Sequence, residues 1–291
     1  MKRIAFYAHY DGKDEVKRYV LFALERLREL CNEVVFVSTS RLRESELNKI
    51  RPYTTSTLFR ENAGFDFSMW KDALAFIDTS AVDELILTNS SILGPLYPLL
   101  PIFERMGNDP CDFWGMTDTY QICWHIQSYF LVFKKSAIQS PVFRQFFDTV
   151  LPFRDKFQTI RSYEVALAPY LEENGLKSAT FVPMGSLFGS EIRAARIQRK
   201  RENATLSYPV ALLKAGMPYV KIHLLRDNPG RVPLKPVLHA MRSAAYDMSL
   251  VEFDTPAEHE FGLLERLKET FSSRDDRFEE EYKRRKLVRR E

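Results

Sequence analysis

The sequence predicts an α/β protein on a Rossmann-like, mostly parallel sheet, and two observations carry that expectation. Over the first 120 residues, short apolar β-prone segments alternate with amphipathic helical ones. Small polar residues gather where the apolar segments end. Runs that are apolar at every position suit strands buried on both faces, which is the habit of parallel sheets.

The elements follow in order. RIAFYAHY reads as a first strand, and DGKD turns it into a helix, DEVKRYVLFALERLREL, with a clear apolar stripe. EVVFVSTS is a second buried strand, a short charged helix follows, and TSTLFR is a third strand. RENAGFDFSMWKDAL then joins that strand to a helix carrying Trp70, Leu74 and Ile77 at helical spacing. Gly64 there suits a backbone closed to residues with a Cβ, and Asp66 sits where an N-cap would sit. DELILTNSS is a fourth strand and CDFWGMTD a fifth. Beyond residue 121, HIQSYFLVFKKSAI reads as a strand and SPVFRQFFDTVLPF as an aromatic-rich helix opening with Pro. TIRSYEVALAPYLEENG reads as a helix ending at Gly175, with another strand after it. ALLKAG is a short helix and PYVKIHLL is strand-like.

Composition excludes several classes. Apolar residues make up 45% and charged residues 28% of the 291 residues, an ordinary soluble balance. Net charge is +3, so no global field argues for nucleic acid, despite the local basic runs RIQRKR and KRRKLVRR. Cys31, Cys111 and Cys123 are scattered and form no CxxC pair, which argues against a disulfide framework and a structural zinc site. The apolar run at the N-terminus breaks into charge too soon for a signal peptide, and no segment approaches the roughly 20 apolar residues of a membrane span. A cytoplasmic protein is expected. The basic tail is a candidate for peripheral contact with the inner face of the membrane, each cation near anionic lipid contributing about 1 kcal/mol.

Polar clusters end the strands: His9-Tyr10-Asp11, Ser38-Thr39-Ser40, Arg60 to Asp66, Thr88-Asn89-Ser90-Ser91 and Thr117-Asp118. In a parallel sheet those ends share one edge, where open α/β sheets bind ligands. Five clusters there describe a crevice for a polar, phosphate-bearing ligand. No GxGxxG follows the first strand and no GxxxxGK(S/T) occurs, so the dinucleotide and P-loop readings are poor. Among five dispersed histidines, His125 stands out because Gln127 and Ser128 follow it at the mouth of a strand. Glu164 opens an otherwise apolar helix, where a helix-dipole partner competes with a catalytic acid. Asp118 ends a strand near Trp114, where a turn residue is the competing reading.

These runs resemble the rhamnan synthesis protein F family of bacterial polysaccharide assembly. RENAGFDFSMWK is similar to that family's RENxGYDFGxWK, NSSILGPLYPL to NDSxxGPLxPL, and DFWGMTDT to DFWGxTxS. HIQSYFLVFKK, a YEV helix and PYVKIHLLRDNP follow in the family's order. The resemblance implies a glycosyltransferase A-type fold. A nucleotide-sugar-binding half would span residues 1–120 and an acceptor-binding half of the same domain 121–235, with a charged helical extension over 236–291. It implies a deoxyhexose, rhamnose first, passed with inversion from a donor such as dTDP-rhamnose or a GDP-sugar to a lipid-linked glycan. His9, Tyr10, Asp11, Arg60, Asn62, Gly64, Asp66, Lys71, Asn89, Ser90 and Ser91 would face the donor, with Arg60 and Lys71 as cations for its diphosphate. His125, Gln127 and Ser128 would face the acceptor. Glu164 would be the base, with Asp118 as runner-up. Ser90 replaces the family's Asp where this fold carries its metal-binding acid, and a hydroxyl is a poor Mg²⁺ or Mn²⁺ ligand beside a carboxylate. Either Asp118 or Asp66 supplies the charge, or transfer proceeds without metal, or the chain is a catalytically silent donor-binding subunit.

Overall fold

Strict alternation along the central strands builds the molecule. The computed structural model describes residues 1–188 and 202–253, which fall in one compact unit, Met1–Thr255. Strand β1 (Arg3–His9) sends Ala5 and Tyr7 to one face of the sheet and Ile4, Phe6 and Ala8 to the other. After helix α1 (Arg18–Leu30), β2 (Glu33–Ser38) divides in the same way, Val34 and Phe36 against Val35 and Val37. Every residue of these strands beyond the first is buried, so both faces need a cover.

One cover comes from α1, whose Val20, Ala23, Leu24 and Leu27 form a stripe at helical spacing. The other comes largely from α3 (Phe65–Phe76), which buries Phe67, Trp70, Ala73 and Leu74. Between them run α2 (Glu44–Ile50) and β3 (Ser56–Phe59). Beyond lie β4 (Glu84–Asn89), β5 (Ile92–Leu93), α4 (Leu100–Gly107), β6 (Phe113–Gly115), β7 (Asp118–Thr119), β8 (His125–Ile126) and β9 (Phe130–Lys134). Helices α5 (Lys135–Ile138), α6 (Pro141–Asp148) and α7 (Lys156–Thr159) follow, then a π-helical turn, Ile160–Glu164. Helix α8 (Val165–Glu173), β10 (Ser178–Thr180) and β11 (Val220–Lys221) complete the elements used below.

The main sheet has seven strands in the order β10-β6-β9-β4-β1-β2-β3, so a mostly parallel α/β sheet is what the chain forms. Strand β9 is antiparallel to both its neighbours, β4 and β6. Its start therefore lies at the same edge as the ends of the parallel strands. It also joins the two expected halves in one sheet. Periodicity reports burial and not direction, which is why the antiparallel insertion was not legible in the sequence.

Three local expectations change. Gly64, not Asp66, is the N-cap of α3, with φ of 82°, and Asp66 lies in the first turn. Half of PYVKIHLL is helical: only Val220–Lys221 pairs as strand, and Ile222–Asp227 turns into a helix. The helix expected around Glu164 is interrupted by the π turn. The tail proposed to meet a membrane lies outside the described residues. Among the described residues, no helix is long and apolar enough to cross a membrane.

Two predictions follow from this packing. A Cβ on Gly64 would stand 2.7 Å from the Pro152 Cα and 2.6 Å from the Ser68 Cβ, in a left-handed backbone. Gly64→Ala should therefore cost about 2 kcal/mol or more in urea unfolding. His9 is buried at the end of β1, beside Phe36 and bonded to the Ser38 hydroxyl at 3.0 Å, and burial pushes its imidazole down to about 4. The unfolded chain then binds the proton more tightly, so stability is intact above about pH 6.5 and falls as pH drops towards 4. Comparing pH 7 with pH 4.5, His9→Asn should remove about 2.5 kcal/mol of the acid-dependent loss.

Candidate functional site

The polar strand ends converge at one edge of the sheet and form two neighbouring features. The first is an open cleft of about 800 Å³ between the residues that follow β2 and β3. Thr39, Arg41, Phe59, Arg60, Asn62 and Arg154 line it. Phe59 is 52% exposed there, unusual for a large aromatic ring, and the buried Thr39 hydroxyl has no hydrogen-bond partner. An exposed ring, arginines and an unsatisfied hydroxyl suit a flat aromatic ligand that carries phosphate.

The second feature is a charged cluster where β4 ends. Two successive residues with positive φ, Gly64 at 82° and Phe65 at 53°, swing the chain into α3. The second of these costs about 1–2 kcal/mol for a residue with a side chain, strain of a kind that gathers at functional loops. That entry brings Asp66 to Asn89, whose amide donates to the Asp66 Oδ2 at 2.7 Å. Asn89 in turn accepts from the Ser91 hydroxyl at 2.6 Å and the Ser91 backbone N–H at 3.0 Å. Opposite, Glu164 on the π turn accepts from the Ser128 backbone N–H at 3.1 Å. π turns inside helices recur at functional sites because they re-aim one side chain without ending the helix. Burial raises the Asp66 carboxyl to about 6, the Asn89 bond opposes it, and the charge of Glu164 raises it further.

The third member of the cluster went unnoticed in the sequence. Lys221, at the end of β11, places its ammonium 4.3 Å from the centroid of the Tyr129 ring. Burial lowers it to about 8, while Glu164 and Asp66 pull it upward. A lone Lys in PYVKIHLL carries no signal of its own. Thr39 was visible only as part of a polar strand end, and Phe59, Arg41 and Arg154 were not visible as site residues at all.

Other expected positions are already engaged. Arg60 forms an ion pair with Asp72 at 2.7 Å and also donates to the Ala63 carbonyl. Lys71 donates to the carbonyls of Asp148 and Val150, both at 2.8 Å, which ties it to the C-terminal end of α6. Asp118 is buried, one oxygen accepting from the Met184 N–H at 2.6 Å and the other from the Trp124 indole at 2.9 Å. Asp11 binds the backbone N–H groups of Lys13 and Glu15, which closes its own loop. The Tyr10 ring is exposed, and its backbone N–H approaches the Ser90 hydroxyl at 3.5 Å. His125 is buried, with Nδ1 3.0 Å from the Cys123 carbonyl, and Gln127 has an unpartnered buried oxygen.

The donor set for a divalent ion does not assemble. The turn after β4 offers an amide and two hydroxyls, and the nearest carboxylate, Asp66, is bonded to that amide. Among the described residues, no group of three or more His, Cys, Asp or Glu side chains is placed to hold a metal. Hard divalent ions need several oxygen ligands, carboxylates foremost.

Comparison with known proteins places these residues in context. The family model for rhamnan synthesis protein F matches residues 34–265. The virulence protein VirA of Vibrio anguillarum is 26% identical over 197 residues, which cover 60% of this chain and 63% of VirA. The uncharacterized protein y4gN of Sinorhizobium fredii is 24% identical over 150 residues, covering 50% of this chain and 39% of y4gN. The chain therefore spans less than two thirds of the length of the curated relatives it matches. Among solved structures, the mannosyltransferase PcManGT of Pyrobaculum calidifontis, in complex with GDP-Man and Mn²⁺, is 13% identical with a TM-score of 0.41, covering 83% of this chain and 69% of that one. The 4-diphosphocytidyl-2C-methyl-D-erythritol synthase of Anaerococcus prevotii is 10% identical with a TM-score of 0.37, covering 68% and 95%. Neither likeness is close enough to carry a substrate or a metal to this chain. The match over residues 34–265 spans well over half of the chain, and the chain belongs to the rhamnan synthesis protein F family.

Proposed function

We propose that the chain transfers a deoxyhexose, rhamnose first among candidates, from a nucleoside-diphosphate donor to a hydroxyl of a growing bacterial cell-surface polysaccharide, with inversion. The observation that carries this reading is the meeting of Asp66, Asn89 and Glu164 at one sheet edge. The cleft between the ends of β2 and β3 opens at that same edge. The base would stack on Phe59, the phosphates would run past Arg41 and Arg154 to the Asn89–Ser91 turn, and the sugar would lie beyond it, beside Asp66. The acceptor would enter beside Gln127 and Ser128, as a lipid-linked glycan.

Glu164 is the group we place at the acceptor hydroxyl. One of its oxygens is held by the Ser128 N–H, and the other accepts no bond among the described residues. In the transfer, the acceptor oxygen bonds to the anomeric carbon and its proton passes to Glu164. The bond from that carbon to the diphosphate breaks, its electron pair leaving with the phosphate oxygen. General-base help of this kind typically contributes about 10²- to 10⁴-fold. Asp66, bonded to Asn89 and raised towards neutrality, would instead meet the hydroxyls of the donor sugar.

A second reading has its own observation. Ser90 stands at the expected acidic position, and both oxygens of Asp118 are committed to the protein, which suits a donor-binding subunit without turnover.

Two measurements test these readings. A thermal-shift panel of nucleotide sugars should single out a stabilising donor, because a ligand of the folded state raises its apparent stability. With that donor, mass-spectrometric transfer assays should find Glu164→Gln slowed at least about 10²-fold with donor affinity retained. A variant of near-normal turnover would remove Glu164 from the mechanism, and a wild type that binds without transfer would favour the silent subunit. In calorimetry, Phe59→Ser should weaken the free nucleotide and the sugar nucleotide alike, by about tenfold. Asp66→Ala should weaken only the sugar nucleotide.

A further inference from the structure

Among the described residues no set of three or more metal-ligating side chains assembles at the site, which contains a cation of its own. Strand β11 pairs antiparallel with β5, Lys221 opposite Ile92, and the next residue, Ile222, donates its N–H to the Ser91 carbonyl at 3.0 Å. Lys221 is thereby fixed beside the Asn89–Ser91 turn. Its ammonium lies on the Tyr129 ring and forms no hydrogen bond or ion pair among the described residues. The charged groups acting on it are Glu164 on the π turn, Asp66 on α3 and Lys156 on α7, with Tyr129 beneath. Lys221 is half-buried, and the three N–H donors of its ammonium meet no protein oxygen among the described residues, which leaves them open to a ligand. Two carboxylates at longer range favour its charge without meeting its hydrogen-bonding need. An anionic oxygen would meet both. The other expected cations, Arg60 and Lys71, are held by Asp72 and by the end of α6.

We propose that the Lys221 ammonium binds the diphosphate of the nucleotide donor against the Asn89–Ser91 turn, in the place of a divalent ion, and neutralises the departing nucleoside diphosphate. The inference rests on the donor-binding reading above. When the anomeric carbon–oxygen bond breaks, the diphosphate gains one negative charge, and Lys221 meets it without giving up its proton. Tyr129 supplies a face that holds the ammonium by cation–π attraction while its N–H groups point to the phosphate. Glu164 and Asp66 keep the ammonium charged before the donor arrives.

The test is calorimetry in EDTA with UDP, dTDP and GDP, each against its monophosphate. Wild type should bind the preferred diphosphate at least about tenfold more tightly than the monophosphate, as expected for a charged hydrogen-bonded contact. Lys221→Met, which keeps an unbranched apolar stem on Tyr129, should lose that preference and bind the monophosphate as wild type does. A Lys221→Met variant that keeps the preference overturns the proposal, as does a wild type that shows it only with added Mn²⁺. Should the variant not fold, as judged by circular dichroism, wild type alone decides. Its diphosphate affinity should fall between pH 7 and pH 9 as the free ammonium deprotonates, and a flat profile overturns the proposal. A wild type that binds none of the nucleotides rejects the donor-binding reading itself, and this inference with it. Intact nucleotide binding with Lys221→Met unchanged rejects the Lys221 role alone.

Discussion

A sheet covered on both faces admits a polar side chain along its strands only where a partner is supplied, as Arg3 is for Glu84, and the whole arrangement of the molecule obeys that constraint. β1, β2 and β4 are buried almost throughout, with alternate residues committed to two separate apolar layers. A buried polar group without a partner costs about 1–3 kcal/mol, so polar chemistry must wait until a strand ends. Five such endings lie along one edge. β9 adds a sixth by entering the sheet in the opposite sense, which brings Gln127 and Ser128 to the residues that follow β4. The site is where the core stops.

Within that edge, electrostatics divides the labour. Burial and the charge of Glu164 both raise the Asp66 carboxyl, and the Asn89 bond partly relieves it. Lys221 reduces the repulsion without forming a close pair with either carboxylate. Two carboxylates and one ammonium held apart in this way remain available to an incoming molecule. A closed salt bridge would have satisfied them internally and left little to offer.

Much of the fold was legible in the sequence, and the reasons are local. RIAFYAHY, EVVFVSTS and DELILTNSS are continuous apolar runs, and only a strand covered on both sides needs that composition. The stripe of α1 and the Pro141 start of α6, capped by Ser140, likewise depend on neighbours in the chain. What failed to show depends on distant partners. The direction of β9 is set by the strands on either side of it. Lys221 acquires its character from Asp66, Tyr129, Lys156 and Glu164, four positions far from it in the chain. Asp118 looked chemical because it ended a strand, and only the fold revealed that the Trp124 indole and the Met184 N–H engage it. Glu164 was visible as the start of a helix, but the π turn that aims it was not.

That π turn, Ile160–Glu164, joins α7 to α8 without interrupting the path of the chain. A π turn holds one residue more than the α-helical turn it replaces, and one residue is worth about 100° of rotation around the axis. The apolar stripe of α8, with Leu167, Ala168 and Leu171 against the sheet, is therefore decoupled in phase from the segment before it. Insertion or loss of a single residue here would re-aim the carboxylate while the helix beyond kept its seat. Such a slip joint lets the aim of one side chain change without renegotiating the core.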